Sequence, residues 1–407
     1  MTDLRRVLIM DLTELYERRR FISTHGSCQV GGREYFIDRG NILYSRGDNG
    51  QIRAELLLQS GRNYAANFDR RYLMQPLAYR EFVICIPNIG QYITFFNTVD
   101  RETKEIYIGD YEKTYFRAGL IYNNYLYLWS SFHRLLLRIN LAKMSLETVA
   151  DYGEQIAVFD RQGFFYTQHF LYHDNKVYMG LRSTPDIITY DLRDNKLDLF
   201  ATLRDGYDIE HMFLHAGELW LTSMKVNDIV ILNMQDKKER TVSFDFPKAS
   251  GWINLCAFWR NKAMIFPIFG ARYAVYDFLN DTISYSDLDE LFMRNCGAKD
   301  VILENVQYED NALKIYLRRG GVIVLEENNW RLDELDKNPG VSGKAIFEAE
   351  WDMNGTNDQL IFEDVLPLAV YVDSIIHSES KRRDTVCKRG EKKSLNVIGE
   401  RILHAIL

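Results

Sequence analysis

One turn-and-strand unit recurs seven times along the chain, and its spacing leaves few folds open. Each copy is a tight polar turn followed by an apolar, aromatic-rich strand: Gly32–Ile37, Arg80–Cys85, Asn124–Trp129, Asn175–Met179, Gly217–Leu221, Asn261–Phe266 and Asn311–Tyr316. The copies start at residues 32, 80, 124, 175, 217, 261 and 311, so the intervals run from 42 to 51 residues. That is the repeat length of four-stranded propeller blades.

The residues around each copy fit a blade. Asn or Gly ahead of the strand suits a hairpin turn, because both tolerate positive φ. A third strand follows, as in Asp186–Asp191 leading into Asp194-Asn195-Lys196, or Asp228–Asn233 leading into Asp236-Lys237-Lys238. A polar fourth strand such as Glu239–Phe244 closes the unit. One such sheet cannot bury both of its faces, so stacking in a ring is the stable outcome. The expected fold is an all-β propeller of about seven four-stranded blades over residues 22–335. Six or eight blades stay open, since the first copy is the weakest. A long β-sandwich would not need such even spacing, and a membrane barrel would need girdles of lipid-facing aromatics. Neither a WD dipeptide nor a kelch double glycine recurs.

Residues 1–21 form an N-terminal segment, and residues 336–407 read as a short α-helical tail. Phe362, Val365, Leu366, Ala369, Val372 and Ile376 fall at near-helical spacing, with Pro367 in the first turn. A charged stretch, Ser378 to Lys393, reads as a solvated loop. Ser394 then caps a last helix whose stripe is Val397, Ile398, Ile402, Leu403 and Ile406. Both stripes need a partner surface, either the propeller itself or a protein partner, a homodimer included. The tail's pattern of amphipathic helix, charged spacer and final N-x-x-G-x-x-I helix (Asn396, Gly399, Ile402) resembles that of uncharacterised bacterial propellers. The resemblance implies a setting in surface-polysaccharide or glycosyltransferase metabolism, and a sugar or sugar-nucleotide ligand.

A formal net charge of −7 without a basic stripe gives no footprint for nucleic acid. No apolar stretch approaches the ~20 residues of a membrane span, and the first twenty residues lack a signal-peptide pattern. Five cysteines (Cys28, Cys85, Cys256, Cys296, Cys387) lie far apart with no C-x-x-C. They read as buried thiols of a cytoplasmic protein.

No nucleophile elbow, zincin motif, P-loop or dinucleotide fingerprint is present. His169/His173 and His211/His215 have a spacing that matters on a helix, but these segments read as strands and turns. The repeat offers the better handle. Eight residues before the second residue of each copy stand His25, Arg117, Gln168, Glu210, Asn254 and Glu304, with Leu73 as the exception. In a propeller these are the first residues of the inner strands, so they point to a polar ring at one channel mouth. Trp252, Tyr207 and Phe116 nearby would suit stacking on a sugar face.

The expected function is therefore a non-enzymatic ligand-binding or protein-interaction scaffold for a small polar ligand or sugar, with no cofactor. The alternative is a carbohydrate- or lactone-active hydrolase or lyase at the same mouth, with Glu210 and Glu304 as the carboxylate pair. Lactonase-like propellers hold calcium through channel carboxylates and amides, so Glu210, Asn254 and Glu304 make that ion the metal alternative.

Overall fold

The structure is a computed structural model. The residues described are 24–38, 42–58, 75–87, 92–109, 116–130, 135–151, 170–181, 184–223, 225–268, 272–288, 303–309, 311–317, 321–326 and 329–333. They form seven antiparallel four-stranded sheets arranged as a propeller ring. The first repeat is a blade in its own right, which settles the number at seven. The N-terminal segment 1–21 and the tail 336–407, with its expected helices, lie outside the described residues. Among the described residues the one helical piece is a 3-10 turn, Lys248–Ser250, and no helix is long and apolar enough to cross a membrane.

In chain order the blades are β1 to β4 (Thr24–Val30, Arg33–Asp38, Ile42–Arg46, Ile52–Leu57), β5 to β8 (Leu77–Tyr79, Phe82–Cys85, Tyr92–Asn97, Thr103–Tyr107), β9 to β12 (Phe116–Tyr122, Tyr125–Ser130, Leu135–Asn140, Ser145–Asp151) and β13 to β16 (Leu171–His173, Lys176–Gly180, Asp186–Asp191, Lys196–Thr202). The last three are β17 to β20 (His211–His215, Glu218–Thr222, Asp228–Asn233, Glu239–Ser243), β21 to β24 (Ile253–Trp259, Lys262–Pro267, Arg272–Asp277, Thr282–Asp287) and β25 to β28 (Leu303–Glu309, Ala312–Leu317, Val322–Glu326, Asn329–Asp333). Each blade is a simple meander, so all seven repeated strands found in the sequence are second strands.

The turns show why. Gly31-Gly32, Asn123-Asn124, Asp174-Asn175 and Ala216-Gly217 all take positive φ at both positions, the geometry that a two-residue hairpin needs to match strand twist. Third strands end in a second recurrent device. Asn97, Asp191, Asn233 and Asp277 each accept, through Oδ1, the backbone N–H two residues on, at 2.8–2.9 Å. These Asx turns aim the chain back into the fourth strand.

Burial follows position in the blade. Second and third strands are flanked by neighbouring blades on both faces, so β6, β14 and β19 are buried almost throughout. Fourth strands form the outer rim, and β16, β20 and β24 are mostly exposed. Apolar clusters join successive blades. Ile84, Ile86 and Phe95 of the second blade pack with Leu126, Leu128 and Leu137 of the third. Blades six and seven share Leu255, Phe266, Leu313 and Ile323. Two glycines allow the closest approaches: a Cβ at Gly180 would sit 2.6 Å from Ile209 Cγ2, and one at Gly119 2.5 Å from Ile86 Cδ1.

Among the described residues no blade borrows a strand from the far end of the chain, and side chains join the first blade to the last. β1 lies against β25 and β26, and the contact is charged at its heart. Lys314 Nζ meets Glu34 Oε1 at 2.9 Å, Arg46 holds Glu34 Oε2 at 2.5 Å, and Arg46 also reaches Asp333 at 2.7 Å. Ser27 donates to Glu34 at 2.7 Å and lies 3.0 Å from the Tyr316 hydroxyl.

Candidate functional site

The residues at the repeated inner-strand position share a backbone feature. In β21, Ile253 pairs with Pro267 and Leu255 with Phe266, so Asn254 is an extra residue in the ladder. In β25, Leu303 pairs with Leu317 and Asn305 with Tyr316, so Glu304 is extra in the same way. β1 is bulged between Thr24 and Ser27, the stretch holding His25, and β9 between Phe116 and Gly119, the stretch holding Arg117. In the fifth blade the Glu210 N–H donates to the Thr222 carbonyl at 2.8 Å, although His211 is the residue paired with Thr222. Two residues again face one. A bulge re-aims a side chain and bends the strand; four of the seven inner strands carry one near this point, and in the fifth blade Glu210, just ahead of β17, shares Thr222 with His211.

The sequence offset thus marks a structural equivalence. Gln168 and the exception Leu73 lie outside the described residues. For Arg117 and Glu304 the backbone position stands, at the entry to β9 and β25. Glu210 and Asn254 are buried, and His25 is partly buried.

Much of this layer is stitched from blade to blade. The Asn254 amide donates to the Leu303 carbonyl at 2.6 Å, and the Asn305 amide to the His25 carbonyl at 2.7 Å. Gln75 and Gln307 both donate to the Ser27 carbonyl, at 2.9 and 2.8 Å. Gly26, between His25 and Ser27, has φ +151°, and a Cβ there would press on Gln75 at 3.0 Å. Asn305, Gln307 and Gln75 were not among the residues read from sequence. Asn305 and Gln307 could have been found as amides flanking the seventh bulge, whereas nothing local marks Gln75.

The fifth blade adds a polar cluster beside Glu210. Ser223 donates to Asp208 at 2.5 Å, and Lys225 lies 3.5 Å from the same carboxylate. His211 and Ser223 are buried here, as is Thr222, whose hydroxyl has no hydrogen-bond partner among the described residues.

The expected stacking platform shrinks to one ring. Phe116 is fully buried in the core between blades two and three. Tyr207 is buried with its hydroxyl donating to the Leu221 carbonyl at 2.5 Å, and burial raises its pKa. Both rings serve packing and cannot face a sugar. Trp252, just before β21, remains partly exposed, and its indole N–H has no hydrogen-bond partner among the described residues. His211 and His215 sit at opposite ends of β17, paired with Thr222 and Glu218. His215 packs against both Phe258 and Phe278, at 4.7 and 4.3 Å between centroids. Among the described residues no three His, Cys, Asp or Glu side chains are grouped as metal ligands.

No family model matches this sequence, and no curated protein matches it. Solved structures do. The chain is similar to streptogramin B lyase, with a TM-score of 0.56 at 11% identity, over 77% of this chain and 95% of that one. A catalytically inactive virginiamycin B lyase from Staphylococcus aureus with quinupristin matches at 0.57 and 11%, over 76% and 96%. The extracellular domain of a hybrid two component system from B. thetaiotaomicron matches at 0.54 and 12%, over 78% of this chain and 42% of that one. At such identities the likeness is one of fold, and the fold it establishes for this chain is the β-propeller.

Proposed function

We propose that this protein is a non-enzymatic binding platform, taking a small polar ligand of the sugar class at the channel mouth where the inner strands are bulged. The observation that carries the reading is the shared irregularity: Asn254 and Glu304 are the extra residues of two inner-strand bulges, His25 and Arg117 lie in the bulged stretch of two more, and Glu210 shares Thr222 with its neighbour. A recurrent irregularity with polar residues in it is hard to explain by packing alone, because an apolar residue in regular pairing would bury more surface. Trp252 supplies the ring for a sugar face. Asn254 and Asn305 act as supports, since their amides hold neighbouring strands together.

The test is a glycan and nucleotide-sugar array on the purified protein, followed by calorimetry on any hit. Binding that falls about tenfold or more in Glu210→Gln and Trp252→Ala is the expected result. Silence across the array, or binding indifferent to both substitutions, rejects the mouth as the site. The reading includes a cytoplasmic location, supported by three buried free thiols, Cys28, Cys85 and Cys256.

A second reading is a hydrolase or lyase at the same mouth. It is favoured by the buried Glu210 and His211 side by side, and by the likeness in fold to streptogramin B lyase. Product formation from a lactone or glycoside panel, lost in Glu210→Gln, would replace the platform with this one.

A further inference from the structure

A propeller exposes one sheet edge per blade, and an open edge presents unpaired N–H and C=O groups to any passing strand. Six of the seven outer strands here carry a device against that. β4 is bulged and bears Arg53 and Glu55; β8 bears Lys104 and Glu105. β12 and β16 are bulged, with Glu147 in one and Lys196 and Asp198 in the other. β20 carries Glu239 and Arg240, and β28 carries Arg331 and Asp333.

β24 differs. Thr282, Ile283, Ser284, Tyr285 and Ser286 form an uncharged run. Its pairing with β23 is regular along its full length, from Arg272↔Asp287 to Asp277↔Thr282. Apart from Tyr285 the strand is exposed, and the neighbouring turn shows Leu279 at 75% exposure. Alternation puts Ile283 and Tyr285 on one face and Thr282, Ser284 and Ser286 on the other, a surface of high β propensity.

The surroundings are acidic. Asp281 precedes the strand, Asp287 ends it, and exposed Asp245 lies alongside, its N–H donating to the Tyr285 hydroxyl at 2.7 Å. The nearby cation Arg272 lies over the Tyr285 ring, 4.7 Å from its centroid. Antiparallel pairing with a second copy of β24 would bring Asp281 of one copy to Asp287 of the other at both ends. Like charges across a strand pair are destabilising, which disfavours self-association.

We infer that β24 is a docking edge for an extended segment of a partner protein, uncharged and β-forming at its centre and carrying Lys or Arg at both ends. Such a segment adds as a fifth strand. Main-chain hydrogen bonds supply affinity, and the carboxylates at each end select the basic flanks.

The test uses the full chain and a fluorescein-labelled peptide, KKTVSVTKK, with EETVSVTEE as control. Fluorescence anisotropy should show saturable binding of the basic peptide and none of the acidic one. Hydrogen exchange should slow across residues 282–287 and not across 239–243. Ser284→Lys, which places a charge on an exposed edge position, should weaken binding about tenfold or more with an unchanged melting temperature; Ser284→Thr should retain it. Three outcomes overturn the inference: no binding of KKTVSVTKK, equal binding by Ser284→Lys, or protection elsewhere than β24. A dimer abolished by Ser284→Lys and undisturbed by the peptide would overturn it too, by naming a second copy as the occupant.

Discussion

The Glu34 carboxylate of the first blade accepts the Lys314 ammonium of the seventh at 2.9 Å, with both side chains only 9% exposed. These residues are 280 positions apart, and their pairing joins the two ends of the ring. Removing Lys314 leaves Glu34 with Arg46, a cation it shares with Asp333, so the loss should fall below the figure of about 3–5 kcal/mol for a buried pair broken outright. Lys314→Met should therefore lower stability, as a fall in the urea midpoint. Glu34→Gln combined with Lys314→Met should recover part of the loss, since the under-compensated buried carboxylate is then gone while Arg46 keeps Asp333. A double variant no better than Lys314→Met would show that the pair does not act as a unit.

The same carboxylate sets a pH limit. Burial alone would raise the Glu34 pKa, but the Lys314 and Arg46 charges outweigh it and hold the group below its usual 4.5. A lowered folded value means that this stabilisation is complete above the unfolded pKa and fades as pH falls through the folded one. Below about pH 4.5 the wild-type ring should loosen first at this contact. Hydrogen exchange in β1, β2 and β26 should rise ahead of the other blades. Glu34→Gln should be less stable at neutral pH and lack this part of the acid dependence. Uniform exchange across all seven blades in acid would contradict the assignment.

Which parts of this fold can be read in the residues follows from how far apart the interacting groups lie. Asn124, Asn175 and Gly217 announce their turns because positive φ restricts residue type on the spot. Arg80 and Arg260 take the same region with φ of 53° and 55°, and nothing about an arginine says so. The bulged position was visible as a polar residue at a constant offset. Its division of labour was not, because Asn254 meets a carbonyl 49 residues away and Asn305 one 280 residues away. Tyr207 and Phe116 read as ligand-facing rings because no local pattern marks their burial, which comes from packing between adjacent blades, four and five for Tyr207 and two and three for Phe116.

Two glycines at blade contacts should respond differently to one added methyl group. At Gly119 the Cβ would meet the tips of Ile86, Leu128 and Leu77, atoms that can rotate away. At Gly180 it would meet Ile209 Cγ2 at 2.6 Å and Cβ at 2.9 Å, close to the backbone of the segment entering the fifth blade. Gly180→Ala should cost about 1–3 kcal/mol, at the level of an overpacked core, and Gly119→Ala less. Thermal or urea unfolding of the two variants checks the order. Ile209→Ala removes the Cγ2 contact but keeps the Cβ one, so it should cost less in the Gly180→Ala background than in the wild type; an equal saving in the Gly119→Ala background would refute the local account.

Three cysteines should stay silent towards alkylation in the folded protein. Cys28 lies in β1 near Glu34, and burial together with that negative charge pushes its thiol up to about 12. Cys85 and Cys256 are completely buried, and desolvation raises both. The thiolate is the reactive form, so at pH 8 almost none of it exists at these positions. Mass spectrometry after iodoacetamide should find them unmodified until urea opens the ring. Cys28 gives the sharper measurement, because Glu34→Gln removes the charge that helps to hold its proton. That variant should label faster at Cys28 than the wild type. Cys85 should also respond where labelling proceeds through opening of the ring, and should not respond where the local charge alone acts. Measuring the two rates together thus separates the electrostatic effect of Glu34 from its mechanical one.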